Sequence, residues 1–89
     1  MKSKINTIME NYTKSGNTSE LLQIIDFFRD MITRNIKKYK NELNFQDMED
    51  VEAETINQII KYCNNKHLTG EIITFSNTCT LIYYVIENK

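Results

Sequence analysis

Proline and tryptophan are absent from this chain, and glycine occurs only at Gly16 and Gly70. So few hard breaks favour long helices joined by short polar turns. There is one histidine, His67, and there are two cysteines, Cys63 and Cys79. Cys63 and His67 stand four apart, a possible ligand pair, but a structural zinc site takes four ligands and no third or fourth is evident. The simpler reading is a core thiol beside a helix-end histidine. No Gly-rich phosphate loop and no nucleophile elbow is present. Enzymatic activity is therefore not expected, nor is any cofactor or metal. No stretch approaches the roughly 18 apolar residues of a membrane helix. The opening "MKSKINTIMENY" lacks the apolar core of a secretory signal. The expectation is a cytoplasmic protein, away from membranes, with both cysteines reduced.

What is present is an uneven distribution of charge. The 89 residues sum to about −1, so composition alone does not announce nucleic-acid binding. Residues 1–40 carry eight basic and four acidic side chains, a balance of +4. Residues 41–60 carry six acids and no base, and residues 61–89 balance at +1. The length suits one domain, 1–89, with one modest core.

Helical spacing organises most of the chain. Ile5, Ile8, Met9 and Tyr12 follow the i, i+3, i+4, i+7 pattern of one helix face. "KSGN" ends that helix, with Gly16 suited to the left-handed position after it. Asn17 can cap the next helix, with Glu20 as its reciprocal partner. That second helix spans about residues 18–40. Its apolar stripe of Leu21, Leu22, Ile24, Ile25, Phe27, Phe28, Met31, Ile32, Ile36 and Tyr39 is wide enough for a central helix packed on two sides. After the connection "NELNF", Asp47 is a good N-cap with Asp50 at the third helical position. Met48, Val51, Ile56, Ile59, Ile60 and Cys63 would form the buried stripe of a third helix that stops near Gly70.

The tail "EIITFSNTCTLIYYVIENK" allows two readings. Its Ile, Thr, Tyr, Phe and Val content favours strands, with "SNT" as a hairpin turn. Alternatively Ser76 caps a helix that runs to the end. An isolated hairpin is marginal and no third strand is available, so the helix is favoured. The fold class expected is all-α, a compact bundle of about four helices.

Three groups could meet a partner. Arg34, Lys37, Lys38 and Lys40 could bind phosphate, although cations there also complement the helix dipole. Tyr83 and Tyr84 are adjacent, so on a helix they point about 100° apart and both cannot lie deep in one core. The acids Asp47, Glu49, Asp50, Glu52 and Glu54 exceed what capping needs. Carboxylates stacked at i, i+3 and i+4 repel, and a surface that tolerates this suits a basic partner.

These segments resemble region two of the sigma-70 family of bacterial transcription initiation factors. "KSGNTSELLQIIDFFRDMITRNIKKY" is similar to that family's opening turn and helix. "QDMEDVEAETINQIIKY" is similar to its next helix, typically Asp-x-Glu-Asp-hydrophobic-x-Gln-Glu, with Asp47, Glu49, Asp50, Val51 and Glu54 on matching positions. Ala53 stands where the family usually has Gln. "ITFSNTCTLIYYVIENK" is similar to the segment that follows, through Phe75, Thr78, Leu81, Ile86 and Asn88, with Cys79 replacing an aromatic. The resemblance covers about residues 13–89. The nearest patterns are divergent low-GC forms: clostridial toxin-gene sigma factors, the co-sigma subunit of a two-part Bacillus sigma factor, and conjugative-transposon helix-turn-helix proteins.

The resemblance implies a sigma region-two-like, all-helical fold, including the tail. It implies that Asp47, Asp50, Glu54 and Gln58 contact the basic clamp helices of the RNA polymerase β′ subunit. Tyr83, Tyr84, Asn88 and Lys89 would lie nearest the promoter minus-ten element. The sequence includes no region-four helix-turn-helix, so a second protein is expected to carry a region-four-like domain. The alternative is a mobile-element regulatory helix-turn-helix protein that acts by protein–protein interaction or by direct DNA binding.

Overall fold

Four helices in chain order account for nearly all of the described residues, which are 2–39 and 44–87 of the computed structural model. They are α1 (Lys2–Ser15), α2 (Thr18–Tyr39), α3 (Phe45–Thr69) and α4 (Phe75–Glu87). The tail is thus helical, as favoured, and its β-prone residues are held in a helix by what they pack against. The radius of gyration is 13.1 Å, and no helix among the described residues is long and apolar enough to cross a membrane.

Each helix contributes a stripe to one core. Ile5, Met9 and Tyr12 come from α1, and Ile24, Phe28, Ile32 and Ile36 from α2. Val51, Ile59 and Cys63 come from α3, and Ile82 and Ile86 from α4. Fully burying one such side chain stabilises by about 1.5–3 kcal/mol. Three threonines enter the same interior at low cost because their hydroxyls donate to the carbonyl one turn back. These bonds are Thr13 to Met9 (2.9 Å), Thr55 to Val51 (2.7 Å) and Thr78 to Thr74 (2.8 Å). Every helix touches the other three, and α2 and α3 share the middle of the bundle, so the wide stripe of α2 is packed on more than one side without making α2 the single central helix. Among the described side chains of that stripe Leu22 is the exception, since it faces solvent, and the Tyr39 side chain lies outside the described residues.

The helix ends differ from expectation in instructive ways. α3 begins two residues before Asp47: Asn44 is its N-cap, and the Asn44 side chain accepts from the Asp47 amide at 2.8 Å. Asp47 therefore sits in the first turn, and Asp50 lies one turn beyond the position expected for it. α4 begins at Phe75, where Thr74 rather than Ser76 accepts from the Asn77 amide at 3.1 Å. Asn17 caps α2 through the Ser19 amide at 2.8 Å. Glu20 does not reach back to the Asn17 amide, because Ser15 stands between them. The Ser15 hydroxyl accepts from that amide (3.1 Å) and donates to the Glu20 carboxylate (2.6 Å). Gly16 and Gly70 both adopt positive φ after their helices. At Gly70 the Glu71 amide reaches the Lys66 carbonyl and the Gly70 amide reaches that of His67, which closes the end of α3.

Candidate functional site

The candidate surface lies at the end of the bundle where α2 finishes and α3 starts. A crevice there is lined by Thr33, Ile36 and Lys37 of α2 and by Met48, Glu49 and Glu52 of α3. Asp47, Asp50, Glu54 and Gln58 are spaced 3, 4 and 4 apart, so they run down one side of α3. Asp47 and Asp50 are exposed, and Glu54 and Gln58 are half-buried. The Gln58 amide donates to the Glu54 carboxylate at 3.2 Å. Gln58 thus steadies Glu54 on the face where the sequence grouped them.

Among the described residues, no ion pair joins Asp47, Glu49, Asp50 or Glu52 to a cation; the pairs seen include Lys14–Glu10, Arg29–Asp26 and Lys66–Glu71, all elsewhere. Lys37 approaches Glu49 and Glu52 as a wall of the same crevice without closing on either. The shifted start of α3 sharpens the question the acids raise. Only Asp47 falls in the first turn, where a carboxylate gains from the helix dipole, and that benefit fades beyond the first turn. Four carboxylates beyond it need another explanation.

α4 brings the tyrosines to this end. Phe75 packs on Phe27 and Phe28, with ring centroids 6.1 and 5.6 Å apart, and Cys79 meets Met31 with sulfurs 3.7 Å apart. Four residues forward on α4 is thus three or four forward on α2, so the two helices run in the same direction. The next turn carries Tyr83 to the level of residues 34–38. Phe27, Met31, Arg34 and Lys38 continue one stripe of α2 at helical spacing, and Arg34 lines a depression with Asp26, Phe27, Asp30, Met31 and Phe75. Arg34, Lys38, Tyr83 and Tyr84 are all exposed. The parallel course of α2 and α4, which no local pattern encodes, sets Tyr83 at the same level of the bundle as Arg34 and Lys38. Lys40, Asn88 and Lys89 lie outside the described residues.

The Cys63–His67 pair serves the interior. Cys63 is fully buried, and burial pushes its thiol up to about 12. The His67 ring packs against Tyr12 and meets the Thr13 carbonyl. Among the described residues no group of three or more His, Cys, Asp or Glu side chains is placed to hold a metal ion. Compared with protein-family models, with curated proteins and with solved structures, the chain matches none.

Proposed function

We propose that this chain is a sigma region-two-type domain that acts in transcription initiation and catalyses no reaction itself. The observation that carries the reading is the outward stripe of α3. Asp47 and Asp50 stand exposed beside Glu54 and Gln58, and this chain's described cations do not neutralise the two aspartates. A cationic surface elsewhere would relieve that repulsion, and the clamp helices of the RNA polymerase β′ subunit are such a surface. The exposed Arg34, Lys38, Tyr83 and Tyr84 supply the cations and rings that engagement of the promoter minus-ten strand would use. A second polypeptide with a region-four-like domain would supply upstream promoter recognition, and the assembly would work in the cytoplasm.

The test is a pull-down of the β′ clamp fragment by the Asp50→Lys, Glu54→Lys double variant, with folding checked by circular dichroism. Binding should be lost, and binding of the intact chain should weaken as salt rises. A folded double variant that binds as well as the parent would refute the assignment. The same Arg34–Lys38 cations favour a second reading, direct DNA binding without polymerase in a mobile-element regulator. A gel shift on duplex DNA with the chain alone separates the two, since the first reading expects no shift there.

A further inference from the structure

We infer that the outer face of α4 is where two copies of this chain meet. From Ile72 to Ile86 the sequence has no Asp, Glu, Lys, Arg or His, and Glu87 is the single charge on α4. The other helices expose charges: Lys4, Glu10 and Lys14 on α1, Asp26, Arg29 and Asp30 among others on α2, and Asp47, Glu49, Asp50 and Lys61 on α3. On α4 the exposed side chains are Ser76, Asn77, Thr80, Tyr83, Tyr84 and, at its very end, Glu87, with Ile72 just before the helix. Tyr84 is 66% exposed and Ile72 67%. A helix face that meets only water is normally built from strong helix formers such as Lys, Glu, Arg and Gln. None is used here. The composition fits a covered surface, and tyrosine is enriched at the centres of protein contacts.

Charge decides the occupant. A charged partner would have to leave its charges unpaired against this face, at a cost in desolvation. The complementary surface is therefore neutral, and the copy's own α4 is neutral from Phe75 to Ile86. In a two-fold contact each patch meets itself. The start of α3 fails that condition because a two-fold pairing would set carboxylate against carboxylate. A single nucleic-acid strand fits less well, because phosphates need cations and the stripe of Asn77, Thr80 and Tyr84 has none.

Area sets the strength. The 13 residues of α4 extend about 20 Å. A standard interface takes about 800 Å² from each partner, about a seventh of this chain's 5740 Å². One helix face supplies less than that, so the pairing belongs to the weak, concentration-dependent class. This inference stands apart from polymerase docking and holds whether or not the chain binds there.

Sedimentation equilibrium from roughly 5 µM to 1 mM protein tests it. The mass should rise from 10.6 kDa towards twice that value, equally at about 50 and 500 mM salt, since no charged pair contributes. Thr80→Arg places a good helix former at an exposed position, so helix content should persist while pairing weakens at least tenfold. Tyr84→Glu should act the same way. A monomer at every concentration, a dimer indifferent to both variants, or a dimer dissolved by salt would each overturn the inference. Binding of a single-stranded oligonucleotide that is lost on Tyr84→Ala, with no dimer in its absence, would assign the face to nucleic acid instead.

Discussion

Nδ1 of His67 lies 2.9 Å from the carbonyl oxygen of Thr13, 54 positions earlier in the chain. That carbonyl is among the last of α1, which lack amide donors within the helix. Nδ1 must carry the proton for the contact to be a hydrogen bond. The opposite edge of the ring occupies the space beside Gly16. The end of α3 is thereby fixed against the α1–α2 corner, which sets where the acidic start of α3 emerges at the far end.

Gly16 and Gly70 allow this contact to be measured. Both have positive φ, +66° and +75°. A Cβ on Gly70 would meet nothing within 4 Å, whereas one on Gly16 would lie 2.5 Å from Nε2 of His67. Gly70→Ala should therefore cost about 1 kcal/mol, from backbone conformation alone. Gly16→Ala should cost about 1–2 kcal/mol more, because the ring must leave its place. In a His67→Ala background the two alanines should cost nearly the same. Urea denaturation of the six proteins, the parent and His67→Ala each with and without either alanine, measures the coupling, and equal costs in the parent background would contradict the geometry.

Tyr62 offers the opposite sign. Its hydroxyl is buried without a hydrogen-bond partner, while Lys66 Nζ lies 5.5 Å from the ring centroid. Removing an unsatisfied buried hydroxyl lifts its desolvation cost of about 1–3 kcal/mol. Tyr62→Phe should leave the melting temperature unchanged or raise it. A fall of several degrees would reveal a partner for that hydroxyl.

Period-3.6 spacing made α1, α2 and most of α3 legible, because Ile5–Met9–Tyr12 and Val51–Ile59–Cys63 repeat on one face. The tail was less legible. Ile, Thr, Tyr and Val favour strands locally, and only burial of Thr78, Ile82, Val85 and Ile86 against other helices holds it helical. Caps were misplaced by three residues at Asn44 and by two at Thr74, since Asn and Thr compete with nearby Asp and Ser for the same role. The stripe Asp47–Asp50–Glu54–Gln58 could be read from spacing. The shared level of Arg34, Lys38 and Tyr83 could not, because it arises from two helices distant in sequence that run in one direction. The tie between His67 and Thr13 was hidden for the same reason.

Cys63 should make stability fall at alkaline pH. Its thiol is raised by burial from 9.0 to about 12, so the folded chain holds that proton where the unfolded chain loses it. The sign follows from linkage. The contribution is complete below pH 9 and is lost as pH climbs towards 12. Cys63→Ala should flatten that part of the stability–pH curve, although it lowers stability at pH 7 by leaving a small cavity. The native thiol should also resist alkylation at pH 8 until urea unfolds the chain. Rapid native labelling of Cys63 would show that α3 opens locally.

The α2–α4 side makes a graded prediction for a single-stranded promoter oligonucleotide, bound by the chain alone or in complex with polymerase. Tyr83 would stack on a base, worth about 1–3 kcal/mol, so Tyr83→Ala should weaken binding by roughly 5- to 150-fold with the salt slope unchanged. Arg34→Ala and Lys38→Ala should each reduce the slope of log affinity against log salt by about 0.7, the value for one phosphate on a single strand. Lys61→Ala is the control: Lys61 is exposed on α3, away from Tyr83 by this arrangement, and its loss should alter neither quantity. Fluorescence anisotropy at several salt concentrations separates stacking from charge. If Lys61→Ala changes the slope as much as Arg34→Ala does, the attraction is a diffuse property of net charge, and the alignment of Arg34, Lys38 and Tyr83 has no role in strand binding.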